Sequence, residues 1–465
     1  MKKVLALLLV SALFAIMVVG CGNGDDPAPP AADDTEAADT ADDDAADDDD
    51  ADVAVNGNDR RRYEGTTLNI LLKTGYETEA ITRFGYQFEE ETGIILNVEI
   101  TDEPTMRNQF ILDVNAGRGH YDIIATQFWH MPEYINMGWM EPLDYWVENH
   151  TDEGWDSMAY MPAGGLGMFS GVDGTLYSTC VSLTGGVLIY RTDLFEAHGI
   201  PSPQTTDDIF AAAAILSEAE PDIIPFVGRG ESTSASFGTS AGWAWGYGAR
   251  VMDEQGNVTI DTPEMYEAMT DFVRLMQDYG PSNAAAVGWD TMSELFRQGD
   301  AAMNFEMHGF VSPYSSPEIS TVVGNINVAV VTGPAGNPLQ WMYGEGLGIS
   351  AYSQNKGAAW MFLQWRNSLE VIEQEVLEDI RFDFPDNRIY DTDIYKERTE
   401  EIGFFTQMLP EILGAIEAEY WPPTARFEQV GEAFQQQISL AIAGSISVEE
   451  ALANAQAAAE AAVAD

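Results

Sequence analysis

The sequence predicts an α/β fold that opens on a parallel sheet and is large enough for two lobes. Three observations predict it. Short apolar runs alternate with amphipathic stretches from residue 66 onward, the part from 66 to 465 spans 400 residues, and a low-complexity acidic segment separates it from an apolar N-terminus.

The elements follow in order. Residues 1–20 carry Lys2 and Lys3, an apolar stretch broken only by Ser11, and the small Gly20 just before Cys21. This is the layout of an export signal, because the apolar run is shorter than the roughly 20 residues a spanning helix needs. The tetrad VVGC at 18–21 resembles the lipobox of bacterial lipoproteins, which implies that Cys21 becomes a lipidated N-terminus. Cys180 is the only other cysteine, so with Cys21 acylated no intramolecular disulfide forms and stability rests on the core.

Residues 21–65 are expected to be the lipidated cysteine and a disordered tether. From 25 to 52 the chain holds 14 acids, no base and no bulky apolar side chain, so it buries too little surface to fold. Like charges extend it, and at roughly 3.5 Å per residue it reaches up to about 100 Å from a membrane. Of the net charge of -55, the tether holds only a part, and the whole chain has five lysines. Such a surface excludes nucleic acid and anionic lipid as partners by charge.

Beyond the tether, 67–73 (TLNILLK) reads as a first strand, 79–92 as a helix, 96–100 as a second strand and 121–125 as a third. Further on, Thr262 and Pro263 open a helix in which Met265, Met269, Phe272, Val273 and Met276 recur at helical spacing, and Gly280 ends it. Those methionines read as core. Ser447 and Glu450 form a capping pair that opens a last alanine-rich helix.

Several segments, in order, resemble the extracellular solute-binding proteins of carbohydrate ABC transporters, the group of maltose- and polyol-binding proteins. LIYRTDLF at 188–195, with the glycine and proline at 199 and 201 and TTDDI at 205–209, is similar to the family's "YNKDLF…G…P.TWDE". Arg191 and Thr192 stand where the family usually has Asn and Lys, and Thr206 where it usually has Trp. FRQGDAAM at 296–303, AAWMFL at 358–363 and GSISVEEAL at 444–452 resemble three further family segments, and FVGRG at 226–230 with YGP at 279–281 looks most like the polyol and monosaccharide branch.

The resemblance implies a two-lobed, type II periplasmic-binding-protein-like fold whose hinge-linked lobes hold the ligand in a cleft. It implies crossings near 181–186, 301–305 and 343–348, with 66–182 plus 304–342 as the N-terminal lobe and 183–303 plus 343–465 as the C-terminal lobe. It further implies a small hydroxylated solute, sugar or polyol, and ABC permease subunits as partners of a monomer. The expected place is the outer face of the cell membrane, at the cell surface or in the periplasm.

A neutral hydroxylated solute offers C–H faces to aromatic rings and hydroxyls that both donate and accept. Its site therefore pairs aromatics with carboxylates, amides and arginine. Candidates are side chains just past strands or at the crossings, where ligands bind in open α/β sheets. They are Tyr76 after the first strand, Gln127 and Trp129 after the third, Thr184 at the first crossing and Glu306 after the second. Trp341 and Glu345 flank the last crossing, Arg229 and Trp243 come from the second lobe, and Trp421 is a C-terminal wall. Arg229 has a competing reading as the partner of a structural acid.

Two enzyme-like patterns and one metal reading weigh less. GTSAG at 238–242 fits the G-x-S-x-G nucleophile elbow, which would make Ser240 a hydrolase nucleophile, but a polar stretch precedes it and His308 is the only later histidine. GLGISA at 346–351 nearly fits a dinucleotide fingerprint, yet no βαβ unit follows. Five scattered histidines show no ligand spacing, so neither a metal nor a cofactor is expected. A sensor or adhesin that binds solute without feeding a transporter reads the same in sequence.

Overall fold

A computed structural model describes residues 59–464 except 379, 401–408, 415–423 and 425, with the side chains of 76, 77, 410 and 411 also outside the description. Seven strands form its framework: β1 Thr67–Lys73, β2 Ile95–Thr101, β3 Ile123–Gln127, β4 Thr179–Arg191, β5 Met303–Met307, β6 Ile326–Ala329 and β7 Met342–Ile349. β1 pairs in parallel with β2 and β3, as the alternation of strands and helices predicts. From β3 outward the named strands pair antiparallel with one another, β3 with β7 and β7 with the first half of β4.

β4 is 13 residues long and serves two sets of partners. Residues 179–185 pair with β7, while Gly186 to Tyr190 pair with β5 and Leu188 to Arg191 with β6. The change of partner falls between Gly185 and Gly186, inside the first expected crossing. β5 and β7 do not cross in the same way. β5 stays with the second half of β4, and β7 stays with β3 and the first half.

These pairings differ from the expected division, in which 304–342 joined the first lobe and 343–465 the second. Leu188 faces Phe305 and Ala329, so β5 and β6 belong with 186–191. The helix Lys356–Arg366 packs on the helix Tyr76–Thr92, where Phe362 and Trp365 lie 5.3 Å from Phe88, so this part of the chain belongs with β1. The expected tether also ends earlier than residue 65. Arg62 pairs in a fork with Asp152 at 2.8 and 2.7 Å, and the Arg60 guanidinium lies 4.0 Å from the Trp155 ring. Three arginines and Tyr63 supply charge and an aromatic ring that the acidic run lacks. The expected signal and Cys21 lie outside the described residues.

Local readings fare well where the signal is local. The helix Pro263–Tyr279 starts at a Thr262 cap that accepts from the Met265 amide, and Met265, Met269, Phe272, Val273 and Met276 are all buried. The last helix, Val448–Ala464, packs on the helices Phe427–Ile442 and Pro263–Tyr279, with the Ser447 hydroxyl accepting from the Glu450 amide. The GTSAG run lies inside the helix Ser234–Gly246, with the Ser240 hydroxyl buried and bonded to Gln435, so no nucleophile elbow exists there. Among the described residues no helix is long and apolar enough to cross a membrane.

Buried polar groups clamp β4. A bulge shifts its register between Cys180 and Ser182, and the carbonyl of the intervening Val181 accepts from Arg381. Arg381 is in turn held by Glu375, which also binds Arg366 at 2.8 Å, and all three side chains are buried. At the change of partner the Gly185 amide donates to His308 Nδ1 at 3.0 Å. Burial pushes the His308 imidazole down to about 4, so the fold holds it neutral. Below an ordinary imidazole value the unfolded chain takes up a proton that the folded chain refuses, so stability falls with falling pH. Between pH 7 and pH 5 this group alone should cost roughly 2 kcal/mol. Urea denaturation of the wild type and of His308→Gln at both pH values checks this. The variant should lose distinctly less over that window, and equal losses would contradict it.

Candidate functional site

The first half-sheet brings several of the polar groups together. β7 sets Glu345 opposite Gln127 on one side and Ser182 on the other, and sets Tyr343 opposite Thr184. Lys73, the last residue of β1, reaches Glu345 with Nζ 2.5 Å from Oε1, and the Tyr343 hydroxyl donates to the same oxygen. The partly buried Trp129 ring lies 5.4 Å from that of Tyr343. The result is a carboxylate with two donors beside an aromatic pair.

Gln127 is fully buried, and its two amide atoms differ. Oε1 lies 3.2 Å from His130 Nδ1, whereas Nε2 has no hydrogen-bond partner among the described residues. A buried donor left without an acceptor costs about 1 to 3 kcal/mol. The bond to His130 fixes which end of the amide carries the unmet donor.

The second half-sheet contributes the other group. Glu306 on β5 is fully buried and receives Arg229 in a fork, Nε to Oε2 at 2.6 Å and Nη2 to Oε1 at 2.8 Å. Arg229 Nη1 donates to the Ala235 carbonyl, and the Met307 amide donates to Glu306. The guanidinium lies over the Trp341 ring at 4.2 Å. The competing reading of Arg229 as a structural ion-pair partner is therefore its actual state, and its mate is another candidate. Trp341 is buried beside Gly186 and Gly238, where an added Cβ would come within 2.7 Å of the Trp341 amide and 2.8 Å of its ring. Its indole Nε1 has no hydrogen-bond partner among the described residues.

Thr184 stands between the two groups, its hydroxyl 3.0 Å from the Met307 sulfur. Asp383, which the sequence reading did not single out, lies alongside. An added Cβ on Gly309 would sit 3.4 Å from Thr184 Cγ2 and 3.6 Å from Asp383 Oδ2. Lys73 was equally missed, although its place at a strand end was a usable signal. Asp383 follows a helix in an irregular stretch and carries no sequence signal.

Trp243 does not join the site. It is fully buried in the second core, its ring 5.7 to 6.5 Å from those of Phe272, Phe305 and Phe226. The helix Ser234–Gly246 buries both faces, so an aromatic there packs rather than faces a cleft. The Tyr76 side chain and Trp421 lie outside the described residues. A cavity of about 290 Å³ opens beside Trp129 and His130 and is closed on its far side by Arg426, Glu428 and Gln429 at the start of the helix Phe427–Ile442.

The buried Arg229–Glu306 pair makes a direct prediction. Removing one partner strands a buried charge, which costs about 3 to 5 kcal/mol. Glu306→Ala should lower the unfolding free energy from urea denaturation by that amount, and a loss under about 1 kcal/mol would show the pair is dispensable.

Comparison with known proteins places this geometry. Residues 74–370 match the family model for bacterial extracellular solute-binding proteins. An erythritol/L-threitol-binding protein of Mycolicibacterium smegmatis is 22% identical over 403 residues, covering 81% of this chain and 82% of the relative. A mannitol-binding protein of Pseudomonas aeruginosa is 24% identical over 422 residues, covering 84% and 91%. Among solved structures, a solute-binding protein of Agrobacterium radiobacter in complex with ribitol superposes with a TM-score of 0.74 at 22% identity, over 86% of this chain and 99% of that one. A maltose-bound protein of T. maritima gives 0.71 at 21% identity, over 85% and 99%. The two-lobed fold is that of these proteins.

Proposed function

The chain belongs to the bacterial extracellular solute-binding proteins, and from that premise we propose that it captures a sugar or polyol and delivers it to an ABC permease. One observation carries the choice of ligand: among the described residues the buried Gln127 Nε2, at the end of β3, and Trp341 Nε1, just before β7 and under Arg229, are donors without acceptors. Hydroxyl oxygens supply such acceptors, and the rings of Trp129 and Tyr343 offer faces for C–H groups. The fixed Lys73–Glu345 pair adds a carboxylate that accepts hydrogen bonds from hydroxyls without adding net charge. The polyol ligands of the relatives and of the ribitol complex support the same class.

On this reading the first lobe comprises β1 to β3, β7 and the first half of β4, and the second comprises the rest of β4 with β5 and β6. The solute docks between them and the lobes rotate about Gly185 and Gly186. Cys21 carries the lipid anchor, and the acidic segment after it lets the folded part reach its permease from the outer face of the membrane.

A thermal-shift screen of the purified full-length chain against erythritol, ribitol, D-mannitol, maltose, amino acids and divalent cations tests the proposal. At about 100 times its dissociation constant a true ligand adds roughly 2.7 kcal/mol. A polyol or sugar should raise the melting temperature, and Gln127→Leu should abolish that rise, because it removes the donor the solute would satisfy. A rise only with amino acids or cations would overturn the ligand class.

A further inference from the structure

The cavity beside Trp129 is bounded by both lobes, and one contact spans it. His130 Nε2 lies 3.3 Å from Glu428 Oε1, a residue of the helix Phe427–Ile442 that packs on the second lobe. His130 itself belongs to the turn that follows β3, between Trp129 and the helix Met131–Asn136. Its side chain is 4% exposed, and its ring stacks on that of Tyr134 at 5.8 Å.

The same ring touches both first-lobe candidates. Nδ1 lies 3.2 Å from Gln127 Oε1, and Nε2 lies 3.1 Å from Trp129 Nε1. An indole nitrogen is only a donor and an amide oxygen only an acceptor. In a neutral ring, Nε2 accepts from Trp129 and the single proton sits on Nδ1, facing Gln127. No proton is then left for Glu428. In the protonated ring both nitrogens donate, Nδ1 still to Gln127 and Nε2 to Glu428, and the Trp129 N–H must find another acceptor. One protonation event therefore moves a bond from within the first lobe to between the lobes.

We infer that His130 is a positioning residue for solute capture, which fixes the Gln127 amide in either state and, when protonated, clasps the second lobe through Glu428 while releasing the Trp129 N–H toward the solute. This deepens the functional reading above, since it rests on a cleft that closes between the two lobes. The surrounding charges favour the clasp. Arg107 lies 2.5 Å from Glu133 and its charge also acts on Glu428. The Glu428 carboxyl is held below the usual range, first by its bond to His130 and then by the charges of His130 and Arg107. Among the described residues the other ionisable groups nearby are Tyr134, stacked on the ring, Glu103 on the helix that carries Arg107, Arg426 beside Glu428, and Tyr343 and Glu345 beyond Trp129. Arg107 and Lys73 each already pair with an acid of their own lobe, so Glu428 is the acid that reaches His130 from the opposite lobe.

The test reads the distance between the lobes with and without D-mannitol as the probe. Nitroxide labels go on the exposed positions Leu112→Cys and Tyr266→Cys, one on each lobe, in the full chain with Cys21→Ser. Imidazoles titrate between about pH 5 and pH 8, so the distance distribution is measured near both ends of that range. The wild type should shift toward shorter distances at the lower pH, and Glu428→Gln should remove that shift. Glu220→Gln is the control, because it deletes another histidine–carboxylate pair, His198 with Glu220 at 2.8 Å, that lies within the second lobe. It should leave the pH response intact. A response that persists in Glu428→Gln, or a wild type without one, overturns the clasp. If the pH response behaves as expected but D-mannitol changes no distance at any pH, the clasp stands and the polyol reading falls.

Discussion

One strand holds two half-sheets together. β4 spends its first seven residues against β7 and its last six against β5 and β6, so its backbone must satisfy both sides without a break. Everything that could interrupt it is buried and bonded: the bulge carbonyl of Val181 to Arg381, and the Gly185 amide to His308. Gly186, by contrast, is kept small by the Trp341 backbone and side chain that press on it. The Gly186 amide also donates to the Trp341 carbonyl, so these clamps and the change of partner all sit within six positions of each other. The proposed rotation of the lobes would have to pass through this change of partner.

The polar groups near that change of partner fall into two kinds. Arg229 with Glu306, and Lys73 with Glu345, are ion pairs whose opposite charges offset each other and hold the surrounding elements together. Among the described residues Gln127 Nε2 and the Trp341 indole, like the neighbouring Gln340 amide, have no hydrogen-bond partner, and the first two are anchored by another contact of the same side chain, Gln127 through His130 and Trp341 beneath Arg229. Preorganised donors that lack acceptors cost stability in the empty protein and return it on binding. This is the expected signature of a binder for neutral hydroxylated molecules rather than for ions, which would draw on the paired charges.

What the sequence made legible was local. TLNILLK became β1 with the same bounds, and the helix Pro263–Tyr279 kept its threonine cap, its proline and its methionine face. That Gln127 and Trp129 lie at and just past the end of β3, with Glu345 on the strand beside them, was readable from position. What failed was long-range: whether 303–307 pairs with 186–190 or with β3 depends on partners more than a hundred residues away, and no periodicity encodes them. Trp243 failed for a related reason, because a helix buried on all sides gives an aromatic no exposed face to betray its role. His130 was weighed only as a metal ligand. Its contacts with Gln127 and Glu428, the latter 298 residues distant, exist only in the folded chain.

The central claim is that the lobes close about β4 on a neutral hydroxylated solute. Small-angle scattering of the full-length chain, with and without a saturating polyol whose binding calorimetry has verified, tests it most directly. The account predicts a smaller radius of gyration in the liganded sample. An unchanged radius with binding verified would contradict closure and leave a rigid site in its place.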